Sequence, residues 1–413
     1  MALDLKPTEA KKKSYDRVAL VQDFLNQNYD IKINVFDPSK TIIEAKNKDL
    51  FKQFAPTINE ISLHMESENI RGCDGILKKI LVSPNFITTF NPITDYLNAL
   101  DGQWKGESHI DKMCSCIKVR DFGDKSEGYY QERFKRILKK WMVASIANSL
   151  GVKENDAMIG FIHADEGIGK TRLVKYLLPP VLKAYYRQSE KGEKNFNLQA
   201  AFTQNFIINF DEFHGITRHN AENVKQTLSA LEFVLSLRDT NAIARMGNGA
   251  FTSNKTKEMG GFLYPNMGYR RWACIELDSI DWRKYITDVD IDQMWAEAYV
   301  LFKNADYDYV WNSEDFNEFQ EYNRRYLIET KAYQLVNEYY RIPTDEDKEE
   351  DIHFVQAQDI LRELRQARKI TSAMNDVSEV TIGLALRALG YERKGKKIDR
   401  INSRYGYNVV KLL

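Results

Sequence analysis

The chain has 413 residues with 59 Lys and Arg against 59 Asp and Glu, which gives a formal net charge of zero. This balance excludes nucleic-acid binding driven by overall charge and leaves local basic patches as the route to DNA. The length predicts several domains. The sequence shows neither a membrane-spanning apolar run nor a signal peptide, so we expect a cytoplasmic protein without membrane contact.

The cysteines predict neither disulfides nor a zinc site. No CxxC pair and no Cys/His cluster with zinc spacing is present in the sequence. Reduced thiols in a reducing cytoplasm fit the pattern better than a metal site does. The four residues are Cys73, Cys114, Cys116 and Cys274.

Residues 1–90 predict a small α+β region without a catalytic constellation. The first 15 residues form a lysine-rich leader. Two alternating segments separated by a Pro-Ser-Lys turn then predict a β-hairpin. The predicted elements are a helix at 16–28, strands at 29–36 and 41–45, and helices at 57–69 and 73–81.

Residues 91–152 predict a helical adaptor that packs on the region after it. Its main element is an amphipathic helix at 129–150, whose apolar stripe is surrounded by basic side chains. These could contact DNA, but a solvated helix face is the simpler interpretation. The basic residues are Arg133, Lys135, Arg136, Lys139 and Lys140.

Residues 153–285 alternate strands and helices, which predicts a parallel α/β nucleotide-binding sheet. Predicted strands lie at 158–163, 205–210 and 272–277, with a strand-rich region at 241–266. Predicted helices lie at 171–178 and 221–237.

The most informative motif follows the first of these strands. A glycine-punctuated loop ends in Gly169-Lys170-Thr171 and leads into a helix. The glycines let backbone N–H groups point into one concavity, Lys170 can reach the β- and γ-phosphates, and Thr171 can ligate Mg²⁺. This context predicts an ATP site, although Ala164 replaces the first glycine of the motif. The predicted nucleotide contacts are Ala164, Asp165, Glu166, Gly167, Ile168, Gly169, Lys170, Thr171 and Arg172.

A second motif supplies a pair of carboxylates. An apolar run ending at Phe210 is followed by Asp211 and Glu212, about forty residues after the loop. Mg²⁺-dependent hydrolysis needs this arrangement, with Asp211 holding the metal and Glu212 polarising the attacking water. The alternative is an ordinary acidic turn after a strand.

A third group of polar residues lies between 241 and 277. Asn266 follows a strand-like segment and could orient water on the γ-phosphate, and Asn254 is a competing candidate. Arg270 and Arg271 begin the next strand and could reach the γ-phosphate of a neighbouring subunit. The alternative for the two arginines is a surface salt bridge.

The C-terminal part divides into helices at 286–345, an acidic linker at 343–351 and a tail at 352–413. Two helices and a hairpin in the tail follow the order of a winged helix. Counted from Asp351, twelve Lys and Arg stand against seven Asp and Glu, a local excess that favours DNA phosphates. A winged helix used for protein contacts is the alternative. The DNA-binding candidates on the hairpin are Arg393, Lys394, Lys396 and Lys397.

The order of these motifs resembles the virulence-associated E family, the primase-helicase type found on phages and integrative elements. The resemblance covers most of residues 15–340. It rests on the GIGKT loop, the FIINFDE strand, NKTK, GYRRW and IDQMWAEA.

The resemblance implies a three-layered AAA+ P-loop core and a superfamily 3 DNA helicase that forms rings, usually hexamers, on single-stranded DNA. It also implies that Asn266 is sensor 1 and that Arg270 or Arg271 acts across subunits. Residues 245–259 would form a hairpin in the ring channel, with Lys255 and Lys257 facing DNA.

Two departures leave other functions open. The stretch between Asn266 and the arginine pair is shorter than the family's, and no acidic cluster of a primase precedes the core, so a primase would be a separate polypeptide. The main hypothesis is a helicase that replicates a phage or mobile element. The alternatives are an ATP-switched origin-binding initiator without processive unwinding, which would also bind duplex DNA, and a degenerate ATPase.

Overall fold

The computed structural model divides into two compact units, Met1–Ala99 and Leu100–Leu413. Within the described ranges, no helix combines the length and apolarity needed to cross a bilayer. The structure describes residues 9–36, 41–47, 56–83, 85–189, 193, 196–213, 216, 221–234, 242–264, 267–371, 374, 376–397 and 403–412.

The first unit packs helices on a three-stranded sheet of order β2-β1-β3. The predicted hairpin is confirmed, because Ile31 of the first strand pairs antiparallel with Ile43 of the second. The short third strand pairs parallel with the first and has no signal in the sequence. The elements are α1 (Glu9–Asn28), β1 (Tyr29–Asn34), β2 (Ile42–Ala45), α2 (Ile58–Ser67), α3 (Asp74–Ile80), β3 (Thr88–Phe90) and α4 (Pro92–Ala99).

The second unit begins with α5 (His109–Ser115), β4 (Ile117–Val119) and the long helix α6 (Tyr129–Ser149). Helix α6 is buried along most of its length. Two of its five predicted basic residues are therefore not part of a solvated face. Arg133 and Lys140 are each almost fully buried and pair with Glu318 and Asp315, respectively. These ion pairs fix α6 inside the unit and leave neither cation free for DNA.

The central sheet has six strands in the order β4-β11-β5-β10-β7-β6. The predicted parallel sheet is confirmed for five strands, and β4 adds an antiparallel edge. The predicted helix at 221–237 is too long, because residues 232 and 233 form a strand. The elements are β5 (Met158–Ile162), α7 (Lys170–Tyr176), β6 (Tyr186–Gln188), α8 (Leu198–Gln204), β7 (Ile207–Phe210), α9 (Ala221–Leu228), β8 (Glu232–Phe233), β9 (Ile243–Ala244), β10 (Asn248–Ser253) and β11 (Trp272–Ile280).

Strand β10 lies between β5 and β7 and is buried along its whole length. Its Phe251 is opposite Gly160 on one side and Phe210 on the other. Parallel strands end at the same edge of a sheet, so the segments that follow these three strands meet there. The prediction that residues 245–259 form a projecting hairpin is wrong for 245–253, because Arg245 is also fully buried.

The last elements form a separate core within the second unit. Three helices follow the sheet, and the C-terminal module then begins at Lys331, earlier than the predicted 352. The apolar cluster of the tail also contains Ala332, Val336 and Tyr340. The acidic stretch at 343–351 therefore connects two parts of the module and does not precede it. The elements are α10 (Trp282–Asp288), α11 (Ile291–Lys303), α12 (Ser313–Asn323), α13 (Lys331–Tyr339), β12 (Tyr340–Arg341), β13 (Ile352–Val355), α14 (Ala357–Gln366), α15 (Glu379–Ala388), β14 (Arg393–Lys397) and β15 (Ser403–Lys411).

The tail differs from its prediction at one point. Residues 352–355 form β13, which pairs with β15, and only the residues after them form a helix. The second predicted helix is confirmed with Ser378 as its N-cap, and so is the hairpin of β14 and β15. From α13 onward, the observed order is a helix, the strands β12 and β13, two helices and a hairpin.

Candidate nucleotide site

The loop after β5 has the backbone conformation that its glycines allow. Gly167 and Gly169 have φ angles of 85° and 107°, in the left-handed region that other residues rarely adopt. Gly169 is also the residue immediately before α7. The rim of the loop, from Ala164 to Gly167, is exposed to solvent. The rim of the loop is therefore accessible from solvent at the end of β5.

The Lys170 side chain bonds to the backbone of this loop. Its side-chain Nζ donates hydrogen bonds to the backbone oxygens of His163, at 3.0 Å, and Asp165, at 2.9 Å. Only 6% of the residue is exposed. Burial lowers the pKa of the ammonium group, and the carboxylates of Glu212 and Asp211 oppose this shift. The amine is thus held across the loop beside two carboxylates.

Asp211 accepts hydrogen bonds from three other elements. Its Oδ1 accepts from Thr171 Oγ1, at 2.5 Å, and from Thr252 Oγ1, at 2.8 Å. Its Oδ2 accepts from Gln188 Nε2 at 2.9 Å. The structure thus brings together the two residues predicted to hold a metal, Thr171 and Asp211. The sequence analysis missed Thr252 and Gln188.

Glu212 has an unusual backbone for a residue with a side chain, with φ 49° and ψ 29°. Its backbone N–H donates to Thr252 Oγ1 at 2.9 Å, which helps to hold this conformation. Non-glycine residues in this region carry strain and cluster at functional sites. The turn leaves the Glu212 side chain exposed beside the loop.

Asn254 lies next to Glu212 at the end of β10. Its Nδ2 donates to Glu212 Oε1, at 3.2 Å, and to Glu166 Oε1, at 3.5 Å. Of the two asparagines left open by the sequence, Asn254 is therefore placed at the site. Asn266 lies outside the described residues. In the sequence, Asn254 directly follows the segment Ala250 to Ser253, which forms the end of β10.

The predicted contact Arg172 is exposed, and its guanidinium lies 4.8 Å from the centroid of the Trp282 ring. Ile168 is half-buried.

The two arginines before β11 lie at the end of the sheet where β5 and β11 begin, opposite the end that carries the loop. Trp272 pairs with Met158, the first residue of β5, whereas the loop follows the last. Arg271 bonds to Asp156 Oδ1 at 3.1 Å, to the Lys225 backbone oxygen at 3.2 Å and to Ser229 Oγ. Arg270 is exposed, with its guanidinium 5.8 Å from the Phe316 ring centroid. Neither side chain belongs to the cluster around Asp211.

A model of the virulence-associated protein E-like domain matches residues 97–328, which is more than half of the chain. The chain belongs to the virulence-associated protein E-like family. The matched part of this family member contains the loop, Asp211, Glu212, Asn254 and both arginines, and it ends just before the C-terminal module. A comparison with curated proteins found no match.

Two similar solved structures are forms of one protein. The apo structure of the NrS-1 C-terminal region (305–718) is 12% identical, with a TM-score of 0.43, and the match covers 96% of this chain and 99% of that chain. The A-form apo structure of the same region is also 12% identical, with a TM-score of 0.40 and the same coverage.

The predicted DNA contacts of this virulence-associated protein E-like chain lie in two places. Lys255 and Lys257 are exposed just after β10, but they lie in a loop and a short 3₁₀ helix instead of a strand. Arg393, Lys394 and Lys396 are exposed on β14. The backbone of Lys397 pairs with Ser403 at the end of that strand.

The cysteines give no sign of a metal centre. All four are free and buried. Within the part of the chain that the structure describes, no three His, Cys, Asp or Glu side chains gather as a metal-binding group.

Proposed function

We propose that this chain is an ATP-dependent, ring-forming DNA helicase of the superfamily 3 type that serves replication of a phage or mobile element. The observation that carries the proposal is the meeting of Lys170, Thr171, Asp211, Glu212 and Asn254 at one edge of a parallel sheet. This set contains the charge, the metal ligands and the water-positioning groups of phosphoryl transfer. The AAA+ identity of the core is part of the proposal.

The loop suits a triphosphate. Two left-handed glycines allow backbone N–H groups to face a bound anion, and Lys170 supplies a positive charge within the loop. Lys170 donates to two carbonyl oxygens of its own loop, and these contacts can be exchanged for the β- and γ-phosphates. Binding would then replace weak partners of the ammonium group with charged ones.

The donors also fit Mg²⁺. Thr171 Oγ1 and Asp211 Oδ1 are hard oxygen ligands that already lie 2.5 Å apart. In nucleotide sites Mg²⁺ takes one or two protein ligands and completes its octahedron with phosphate oxygens and water, so a larger cluster is not needed. When bound, the ion neutralises charge on the transferring phosphoryl group.

Glu212 and Asn254 would position the attacking water. The water oxygen attacks the γ-phosphorus, the bond from that phosphorus to the oxygen bridging it to ADP breaks, and the water proton leaves toward Glu212. The products are ADP, inorganic phosphate and a proton. The 3.2 Å contact from Asn254 Nδ2 to Glu212 Oε1 holds the carboxylate in place for this role.

DNA contacts would come from the two basic patches. The loop with Lys255 and Lys257 begins directly after the sheet edge of the site, so a change of nucleotide can move it. The proposal takes the C-terminal module as a winged helix, and its exposed basic strand β14 suits a phosphate backbone. This strand also favours a second candidate, an ATP-switched initiator that binds duplex DNA without unwinding it.

A strand-displacement assay tests the proposal. We expect the wild-type chain with ATP and Mg²⁺ to release the labelled strand of a forked duplex. Glu212→Gln should bind ATP and DNA but release no strand. ATP hydrolysis with duplex binding and no displacement would favour the initiator. Absence of ATP binding would refute both functions.

A further inference from the structure

An exposed tryptophan lies beside the start of α7. Trp282, the first residue of α10, is 41% exposed and is the most exposed of the six tryptophans, all of which the structure describes. The guanidinium group of Arg172 lies 4.8 Å from the centroid of its ring, and that of Arg283 lies 5.2 Å from it. Tryptophan is largely buried in most folded proteins, so an exposed ring at this place needs a reason.

Contacts on both sides of Trp282 hold it in position. Asp281 caps α10 by accepting a hydrogen bond from the Lys284 backbone N–H at 3.0 Å. One turn further along the helix, the centroids of the Tyr285 and Tyr176 rings are 4.6 Å apart. The Tyr176 hydroxyl also donates to the Tyr285 backbone oxygen at 3.1 Å, so α10 is docked on α7.

The two helices run alongside each other in the same direction. Arg172 lies one turn before Tyr176 on α7. Its partner Trp282 lies about one turn before Tyr285 on α10. Trp282 is therefore beside the start of α7, where Lys170 joins the helix to the phosphate loop.

Trp282 and the proposed catalytic residues lie on opposite sides of β5. In the sheet, β11 is next to β5 on one side, and β10 and β7 follow on the other. Asp211, Glu212 and Asn254 come directly after β7 and β10, whereas Trp282 comes after β11. A triphosphate whose γ-phosphate faces Glu212 extends its ribose and base in the opposite direction. The base end of the nucleotide is thus directed to the side of the loop that carries Trp282.

We propose that Trp282 is the stacking platform for the base of the nucleotide held by the loop, and that this base is a purine. The inference rests on the proposed function and deepens it, because it assigns the base end of the substrate. Every nucleobase has a flat π face that stacks on an aromatic ring, and a purine covers more of an indole than a pyrimidine does. Arg172 and Arg283 are both exposed, so either guanidinium group can move aside when the base stacks.

A single exposed ring suits a mononucleotide better than single-stranded DNA. Proteins that hold single strands combine several aromatic side chains with a basic groove that follows the backbone. One turn after Trp282, the same face of α10 presents Ile286, which is 42% exposed. This side chain enlarges the apolar surface beside the ring but adds neither a charge nor a second ring.

Titration of the chain with ADP, CDP and inorganic pyrophosphate, each with Mg²⁺, tests the inference. ADP and CDP differ only in the base, and pyrophosphate has no base. We expect the wild-type chain to bind ADP at least about fivefold more tightly than CDP. Trp282→Ala should weaken ADP binding about tenfold and leave pyrophosphate binding unchanged. Trp282→Phe, which keeps a ring, should lose less affinity for ADP.

Tyr405→Ala is the matched control. Tyr405 is also an exposed aromatic residue, and the guanidinium group of Arg393 lies 5.1 Å from its ring centroid. It belongs to β15 in the C-terminal module, away from the phosphate loop. The control variant should bind ADP as the wild type does.

Four results would overturn the inference. Equal affinity of the wild-type chain for ADP and CDP would exclude base stacking without any substitution. Equal losses of ADP and pyrophosphate binding in Trp282→Ala would show that the ring supports the loop. Unchanged ADP binding in that variant would exclude the platform, and weaker binding of single-stranded DNA would then assign the ring to a DNA base. If the wild-type chain binds neither ADP nor pyrophosphate, the proposed function itself fails.

Discussion

At the scale of single residues, Asp211 was assigned a role from its position after a buried strand, and the structure places it beside Thr171. Thr252, which bonds the same carboxylate and the Glu212 backbone, had no comparable signal. Its role depends on β10 lying between two strands that precede it in the chain. The sequence order of strands does not reveal their order in a sheet, so this contact could not be predicted.

Lys170→Ala should abolish ATP hydrolysis and weaken ATP binding. Lys170 is the cation held within the loop, and without it the triphosphate meets Asp211 and Glu212 uncompensated. We expect kcat/KM to fall at least about 100-fold, by analogy with the loss of one preorganised charge-stabilising group. Steady-state phosphate release and nucleotide titration measure the two effects.

Lys175→Ala is the control for that prediction, because Lys175 is an exposed lysine on the same helix, α7. Both variants should unfold at nearly the same urea concentration. Normal hydrolysis by Lys170→Ala would remove the loop from the proposed site.

Arg270→Ala and Arg271→Ala should separate catalysis from stability. Because Arg270 is exposed, its loss should have little effect on unfolding. Its proposed action across subunits predicts that hydrolysis slows about 1,000-fold. Arg271 bonds to Asp156, a backbone oxygen and Ser229, so its loss should lower the free energy of unfolding by about 2 kcal/mol. Urea unfolding and ATPase rates on both variants measure this. If Arg271→Ala slows hydrolysis and Arg270→Ala lowers stability, Arg271 is the residue that acts across subunits.

At the scale of elements, most helices and strands could be predicted because their apolar periodicity is strong. The failures share a cause. Residues 352–355 continue the composition of the following helix, yet their partner β15 lies more than fifty residues later and recruits them into a sheet. Likewise, residues 245–259 were expected to form a projecting hairpin, but Gly247 packs against Phe202 and Ile208. Long-range pairing overrode local preference at both sites.

Arg245 joins several elements and should be critical for stability. The side chain is fully buried and donates to backbone oxygens of Gly247, Thr227 and Asn155, among others. These oxygens belong to the end of α9, the residue before β10 and the segment before β5. Arg245→Met keeps much of the volume but leaves the carbonyls unsatisfied, so we expect a loss of about 3 kcal/mol or more.

Equilibrium urea unfolding measures this loss. Arg187→Met offers a comparison, because Arg187 is a partly exposed arginine of the same unit. If Arg245→Met unfolds at the wild-type urea concentration, water satisfies the carbonyls, and the prediction that the Arg245 hydrogen bonds are critical for stability is wrong.

At the scale of the whole molecule, the domain boundary before the C-terminal module was the hardest to predict. The acidic stretch at 343–351 has the composition of a linker, and most of its residues are exposed. The helix before them, α13, contributes Ala332, Leu335 and Val336 to the core of the module. The composition of a segment indicates whether it is exposed to solvent. It does not indicate that the helix before it, α13, packs into the core of the C-terminal module.

Two truncations distinguish these boundaries. A chain ending at residue 351 keeps α13 but loses its partners, so it should expose apolar surface, bind a hydrophobic dye and aggregate. A chain ending at residue 330 removes α13 as well and should stay monodisperse in size-exclusion chromatography. Equal behaviour of the two chains would show that α13 has an independent partner in the rest of the unit.

The two outermost strands of the central sheet have a consequence for assembly. Strands β4 and β6 lie at the two edges, and each has only three residues. Such short edges offer little backbone for a second copy to extend the sheet. Copies that gather around one another must therefore meet through side chains. A shared sheet would join subunits permanently, whereas side-chain contacts can open and re-form at each turnover, as the proposed helicase would require.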